Sequence, residues 1–576
     1  MTTELRILQR QPMVAGDGLP ADLHPVVRRI LRHRGVGDAK QLDLQLNALL
    51  RPDAMGGLNE AAALIAEAVL SGRHIRVVGD FDADGATGTA VLVRGLALCG
   101  YHQVDFAVPN RFDFGYGLSV GLVDTFAGQP PDLLITVDSG ISSLNGVLRA
   151  RELGCQVIVT DHHLPGDTLP AADAIVNPNV HGDDFPSKAL AGVGVVFYLL
   201  SGVRQALQQR GWFSAGRPLP KLGQLLDLVA LGTVADLVPL DHNNRVLVHQ
   251  GLQRIRAGRA CAGIQALLKV GRREAAQAVA SDLGFIVGPR LNAAGRLEDM
   301  TVGIRCLLTD DPAEAMHLAE WLDTLNRERQ ALQSDMEQQA QQIVQQQLDT
   351  LDDGRLPLAL CLYQEDWHQG VVGLVASRIK DAVHRPVIAF APEAEGSTVL
   401  KGSARSIRGI HIRDLLAWVD ASQPGLMRAF GGHAMAAGLT LEQAQLNAFD
   451  QALQQGLAQM ADEELFQPLI ETDGELGHAD FTLELAMALR EIAPWGQQFP
   501  EPLFEGCFEV LDRRVVGAAH LRLQLRPLDG GAEIEAIAFN TAPEAVASGQ
   551  VRLLYRLSVN TFRGLSCQLM VERIIE

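Results

Sequence analysis

The chain has 576 residues, 47% of them hydrophobic and only 5% aromatic, with a formal net charge of −19 at pH 7. That length allows roughly three or four domains at ~150 residues each, and the charge excludes binding of nucleic acid through a global field, though not through a local basic groove. Seven cysteines without a CxxC pair suit a reducing cytosol. The first eighteen residues lack a signal-type apolar core, and no run of about eighteen apolar residues calls for a membrane span. A cytoplasmic location without a membrane partner is expected.

Residues 1–50 read as an arm with one short helix, Val26 to Arg34. Residues 51–305 read as one domain. An amphipathic helix at 58–70 precedes strand 75–78, helix 87–98, strand 103–108, helix 119–126, strand 133–137, helix 142–153, strand 156–160 and strand 173–176. Such alternation predicts an α/β fold with a parallel sheet.

Three of these strands run into metal-type residues. The first ends in Asp80-Phe81-Asp82-Ala83-Asp84-Gly85, the third in Asp138-Ser139-Gly140, and the fourth in Asp161-His162-His163. Crowded carboxylates repel one another, and a hard divalent cation is the economical way to hold them together. In a parallel sheet, ligands bind beyond the carboxyl ends of the strands, so the three clusters converge on one place.

The loop at 108–118 carries Arg111, three aromatic residues and two glycines. It suits phosphate clamping or base stacking, or simply packs on the surface. A helix from about Leu222 to Ala235 ends at Asp236, a carboxylate among apolar residues that needs a partner. The metal site is one candidate, and an ordinary helix-end turn is the other. Residues 284–297 read as a Gly-rich loop whose Arg290, Asn292 and Arg296 suit phosphate.

A long helix follows, capped by Asp311 with Pro312 at its first position and free of Gly and Pro until Gly354. It spans 306–352 as a connector between domains. A second α/β unit, 353–462, carries Gly-rich turns with Ser403, Arg405, Gly431, Gly432 and His433. The last stretch, 463–576, is strand-rich. His520 to Arg526 alternates strictly, setting Arg522 and Arg526 on one face, and Arg556, Phe562 and Arg563 follow. A small β-barrel of OB type with a basic DNA-binding groove fits, as does a β-domain with solvated arginines.

The set Asp80-Phe81-Asp82-Ala83-Asp84-Gly85, Asp138-Ser139-Gly140, Asp161-His162-His163 and Asp236 resembles the four motifs of the DHH phosphoesterase family, in order and in strand-end placement. Phe430-Gly431-Gly432-His433 is similar to the GGH motif of the DHH-associated domain. Length, connecting helix and C-terminal β-domain together resemble the bacterial single-strand-specific 5′→3′ DNA exonucleases of that family. The resemblance covers nearly the whole chain.

It implies two ions, Mn²⁺ or Mg²⁺, held by Asp82, Asp84, Asp138, His162 and Asp236, with Asp138 bridging. Asp80 lies beside them, His163 faces the scissile phosphate, and Asp161 orients the loop and an imidazole. The resemblance places the terminal phosphate on Ser403, Arg405 and the Gly431-Gly432-His433 turn. It also implies a monomer acting on single-stranded DNA in recombination and repair, with a single-strand-binding protein and a helicase as partners.

Three other readings compete. A haloacid-dehalogenase-type phosphatase shares an Asp-x-Asp loop but needs no Asp-His-His cluster. A DHH phosphoesterase acting on short oligonucleotides or cyclic dinucleotides would be smaller. A DNA-binding scaffold without metals would not need the intact carboxylate and histidine set.

Overall fold

The computed structural model describes residues 5–16, 18–350, 356–517, 520–546, 549–561 and 564–575, without the side chains of Gln347, Thr350 and Pro543. The chain divides into two units, one of residues 9–324 with 472–576, the other of residues 1–8 with 325–471. Among the described residues no helix is long and apolar enough to cross a membrane.

The first unit holds a five-stranded parallel sheet. Its strands are β1 (Ile75–Gly79), β2 (Val104–Ala107), β3 (Leu133–Val137), β4 (Gln156–Thr160) and β5 (Ala174–Val176), in spatial order β2-β1-β3-β4-β5. Strand β3 is buried along its whole length and β1 and β4 nearly so, as continuous apolar runs covered on both faces require. The order reverses between β1 and β3, and a crevice opens at their carboxyl ends.

Helix α1 (Pro25–His33) belongs to the arm. Helix α2 (Ala83–Leu98) begins four residues earlier than the sequence reading, because Asp82 caps it by accepting from the amides of Asp84 and Gly85. Gly85, which the sequence places just before the helix, lies inside it with Gly88. A Cβ on Gly85 would come within 2.5 Å of the Asp80 carbonyl, so only glycine fits there. Helices α3 (Gly192–Gln209), α4 (Leu226–Ala235) and α5 (His242–Arg256) complete the core.

The segment 284–297 is helical, not the loop that its glycines suggest. A π-helical turn, Leu283–Val287, runs into α6 (Gly288–Leu297). Gly295 permits close packing, since a Cβ there would meet the Phe81 carbonyl at 1.8 Å. Helix α7 (Pro312–Thr350) matches the long connector, with Asp311 accepting from the Ala313 amide.

The C-terminal stretch opens with helix α11 (Leu483–Glu491) and then forms a closed five-stranded barrel. Its strands are β11 (Phe504–Val516), β12 (His520–Pro527), β13 (Ile534–Ala538), β14 (Gly549–Asn560) and β15 (Ser566–Ile574), ordered β11-β12-β13-β15-β14. It is tied to the arm by a buried cluster. Arg34 donates two bonds to Asp473, at 2.6 and 2.8 Å, and His33 Nδ1 lies 2.9 Å from the same carboxylate. Burial alone would raise the Asp473 pKa, but the bonds and charge of Arg34 and the bond of His33 outweigh it and hold the group ionised.

In the second unit a mixed sheet is ordered β9-β10-β8-β7-β6, from β6 (Leu360–Tyr363), β7 (Val387–Pro392), β8 (Val399–Arg405), β9 (Ala429–Gly432) and β10 (Ala436–Glu442). Helices α8 (Val372–Val383), α9 (Ile412–Ser422) and α10 (Leu446–Met460) accompany it.

Candidate metal centre

Each cluster arrives at the crevice through its own strand. Asp80 follows β1, Asp138 follows β3 and Asp161-His162-His163 follow β4, while Asp236 caps the end of α4. Three overlapping sets have ligand atoms within 4.8 Å of one another: Asp80 with Asp82 and Asp138; Asp138 with His162 and His163; and Asp84 with His162 and Asp236. His162 Nε2 stands 3.1 Å from Asp138 Oδ1 and 3.4 Å from Asp236 Oδ2.

The cluster's electrostatics are unbalanced. Burial, then the charge of Asp82, pushes the carboxyls of Asp80 and Asp84 upward, the latter to about 7. Burial and the surrounding aspartates likewise push Asp138 and Asp236 well up. Asp80 Oδ1 and Asp138 Oδ1 are buried and accept no hydrogen bond among the described residues. Buried oxygens of this kind normally find a donor. A carboxylate-rich set with imidazole suits Mn²⁺ or Mg²⁺.

Asp161 has a different task. Its Oδ1 accepts from the amides of His162 and His163 and lies 2.7 Å from His163 Nδ1, while Oδ2 accepts from the Ile141 amide. Burial opposes its ionisation, but the His163 bond and charge, with the two amides, hold its pKa below the usual range. Asp161 therefore fixes the loop and turns the other edge of the His163 ring away from itself.

Several supports were missed by sequence reading. The amides of Gly192 and Val193, at the start of α3, donate to the two oxygens of Asp84 at 2.6 and 2.9 Å. A Cβ on Gly192 would sit 2.6 Å from the Asp138 Cβ, so glycine lets the helix reach the centre. Asn177 and Asn179 donate to the carbonyls of His163 and His162. They follow β5, and their place just beyond a fourth strand of the sheet was the available signal. Asp138 has φ of +60°, strain of the kind held at functional sites. The Tyr116 hydroxyl donates to the Asp138 carbonyl at 3.2 Å and lies 3.3 Å from His163 Nδ1.

The remaining sequence candidates fall in several places. Arg111 stacks on Phe81, 4.1 Å from its ring centroid, close enough for Asp80 and Asp82 to raise its pKa against the larger effect of burial. Arg290 pairs with Asp323 at 2.8 Å, and Asn292 Oδ1 accepts from the Ala83 amide, steadying the start of α2. Arg296 lies in the last turn of α6.

Within the second unit, Arg405 Nη1 donates to Ser403 Oγ at 2.9 Å and to the Ala404 carbonyl. Burial depresses its pKa, and no carboxylate faces it among the described residues. Ser403, Gly438 and Gly431 stand in one row across three strands, with Gly432 next in line and His433 at the turn. Gly373, whose Cβ would come within 2.7 Å of Arg405, brings α8 up to the guanidinium.

On the barrel the predicted basic groove is neutralised. Arg522 pairs with Glu535, Arg526 with Glu509 and Glu533 at 3.1 Å each, and Arg556 with Glu501 and Glu572 at 2.8 and 3.1 Å. Residues 472–576 hold nine arginines and no lysine against fifteen acidic residues, a formal charge of −6. Phe562 and Arg563 lie outside the described residues.

Residues 74–233 match the DHH family, N-terminal domain, residues 357–459 the DHHA1 domain, and residues 472–573 the RecJ OB domain. The chain is 48% identical, over the full length of both, to the single-stranded-DNA-specific exonuclease RecJ of Escherichia coli K12. It is 50% identical to the protein of that name from Dickeya dadantii, covering 98% of each. The chain belongs to the RecJ family. A crystal structure of RecJ with Mn²⁺ from Thermus thermophilus superposes with a TM-score of 0.80 at 32% identity, covering 99% of this chain and 79% of that one. A second Thermus thermophilus RecJ structure, with Mg²⁺, superposes at 0.75 and 31% identity, over 99% of this chain and 78% of that one. RecJ similarity and the donor set agree on the same two metals.

Proposed function

We propose that this chain hydrolyses linear single-stranded DNA from its 5′ end and releases 5′-mononucleotides, serving recombination and repair in the cytoplasm. The observation that carries the reading is the set of buried carboxylate oxygens without donors at the β1/β3 switch point, in a chain with full-length RecJ similarity. Asp82, Asp84, Asp138, His162 and Asp236, with Asp80 beside them, would hold two ions, which would supply charge stabilisation to the attacking and leaving oxygens. His163, fixed through Nδ1 by Asp161, presents its other ring nitrogen to the scissile phosphate. Asn292 and the α3 amides keep the acidic loop in register, so the reacting groups are placed before substrate arrives.

Arg405, buried without a counter-ion and bonded to Ser403, takes a phosphate of the strand, with the Gly431-Gly432-His433 turn beside it. Arg111, Arg290 and Arg296 hold further phosphates, and the barrel adds affinity through Arg522, Arg526, Arg556, Phe562 and Arg563 only to the extent that the first three exchange their glutamates for phosphate. Seven cysteines, none in a disulfide, support a reducing compartment. A single-strand-binding protein and a helicase that supplies ends are the proposed partners of a monomer.

The test is digestion in Mn²⁺ of strands labelled at either end and of circular single strands. Release of label from the 5′ terminus first, with circles intact, supports the reading. Steady cleavage of circles overturns it. Activity confined to dinucleotides or cyclic dinucleotides would point instead to a small-substrate phosphoesterase.

A further inference from the structure

Beside the last turn of α4 lies a cavity of about 340 Å³ that the chemistry above does not use. One wall is α4 with the π-helical turn, and the other is segment 490–501 leading into the barrel, all within the first unit. Leu237, Leu252 and Pro494 line it, with the rings of Phe285 and Trp495. Phe285 is 76% exposed and Leu237 is 64% exposed. Both are held outward by uncommon backbone, Phe285 in the π-turn and Leu237 at φ +58°. Trp495 is stacked on Phe499 at 5.1 Å and is thereby held in place.

Two guanidinium groups meet in the same cavity. Arg256 Nε donates to the Ala278 carbonyl and Arg490 Nη2 to the adjacent Gln277 carbonyl, each at 2.7 Å. They come from α5 and α11, and no ion pair engages either among the described residues. Burial and the neighbouring Arg490 depress the Arg256 pKa, with partial relief from Glu491. The cavity's other carboxylate, Glu501, is occupied by Arg556. Adjacent guanidinium groups that no ion pair engages favour an anion, and exposed rings beside them favour a flat apolar group. Phosphate and base occur together in a nucleotide.

We propose that this cavity seats one nucleotide of the single strand beyond the scissile phosphate, its phosphate on Arg256 and Arg490 and its base against Phe285 and Trp495. The inference rests on the single-strand reading above. Asp236 belongs to the metal centre and the next residue, Leu237, lines the cavity, so one turn of chain serves both.

Full-length Phe285→Ala and Arg490→Ala are compared with wild type by anisotropy of a fluorescent 12-mer in EDTA, and by cleavage of dinucleotides and 12-mers in Mn²⁺. The exposed Phe285 makes its variant the safer fold, and thermal melting checks both. Expected are roughly tenfold weaker 12-mer binding, a salt slope for Arg490→Ala lower by about one, and unchanged dinucleotide cleavage. Wild-type 12-mer affinity in both folded variants overturns the proposal, including the case in which the cavity takes an acidic peptide. Equal loss on dinucleotides also overturns it. If wild type itself leaves every single strand uncut, the functional reading fails, a result distinct from either.

Discussion

The metal centre and the barrel are both rich in charge, yet they treat it in opposite ways. At the strand ends, aspartates gather with no lysine or arginine bonded to them among the described residues, and two of their oxygens are buried without a donor there. On the barrel, Arg522, Arg526 and Arg556 each have a glutamate on a neighbouring strand. Concentrating like charge out of water costs free energy that the amides on Asp84 and the charge of Arg111 offset only in part. Alternating charge on a wet surface costs little and contributes little. Imbalance, not charge density, distinguishes the reactive region.

The most direct way to break this contrast is Asp138→Ala. Nuclease activity should fall by about 10³-fold or more, because the ions supply several kcal/mol of transition-state stabilisation. The melting temperature in EDTA should rise, since one buried charge is gone. Digestion near the wild-type rate in excess Mn²⁺ would show that the imbalance is incidental.

A balanced buried site gives the next largest effect. Asp473→Ala leaves Arg34 buried alone and should cost about 3–5 kcal/mol of stability in urea unfolding. The Asp473 pKa is lowered in the folded chain. Its contribution is therefore present above the unfolded value of roughly 3.9 and disappears as pH falls through the lower folded value. A loss below about 1 kcal/mol would mean that this pairing behaves like a surface one.

The pH dependence of the metal-free protein sharpens the comparison further. Asp80, Asp84, Asp138 and Asp236 hold protons more tightly when folded, Asp84 up to about 7. Their favourable contribution is complete below an unfolded pKa of about 3.9 and is lost as pH rises through the folded values. Melting in EDTA should therefore weaken from pH 5 to pH 8, and Mn²⁺ should restore more at pH 8 than at pH 5. A flat profile in EDTA would reveal an internal counter-charge.

Arg526→Ala should do least. An exposed pair contributes about 0.2–1 kcal/mol, and the salt slope of DNA binding should change by less than one. A drop of a full unit would show that the glutamates let go when DNA arrives.

Much of the centre was legible because parallel strands write their ends plainly: an apolar run, then Asp80, Asp138 or Asp161. The long helix was legible through Asp311, Pro312 and the absence of breakers. Gly85, Gly288 and Gly295 misled, because glycine used for close approach inside a helix looks the same in sequence as glycine used for a turn. Arg526 misled because its partner Glu509 lies opposite on β11, and cross-strand register cannot be read from one strand. The α3 amides on Asp84 carry no side-chain signature at all.

The bond between His33 and Asp473 spans 440 residues of sequence. On a ribosome moving at about 5–20 residues per second, the arm waits roughly 20–90 s for that carboxylate. Throughout that interval Arg34, destined for burial, has no counter-charge, and the first unit stays open at its edge. Synthesis of residues 325–471 of the second unit falls within the wait. Residues 472–576 are thus needed before the buried Arg34 has its carboxylate and the core of the first unit is complete.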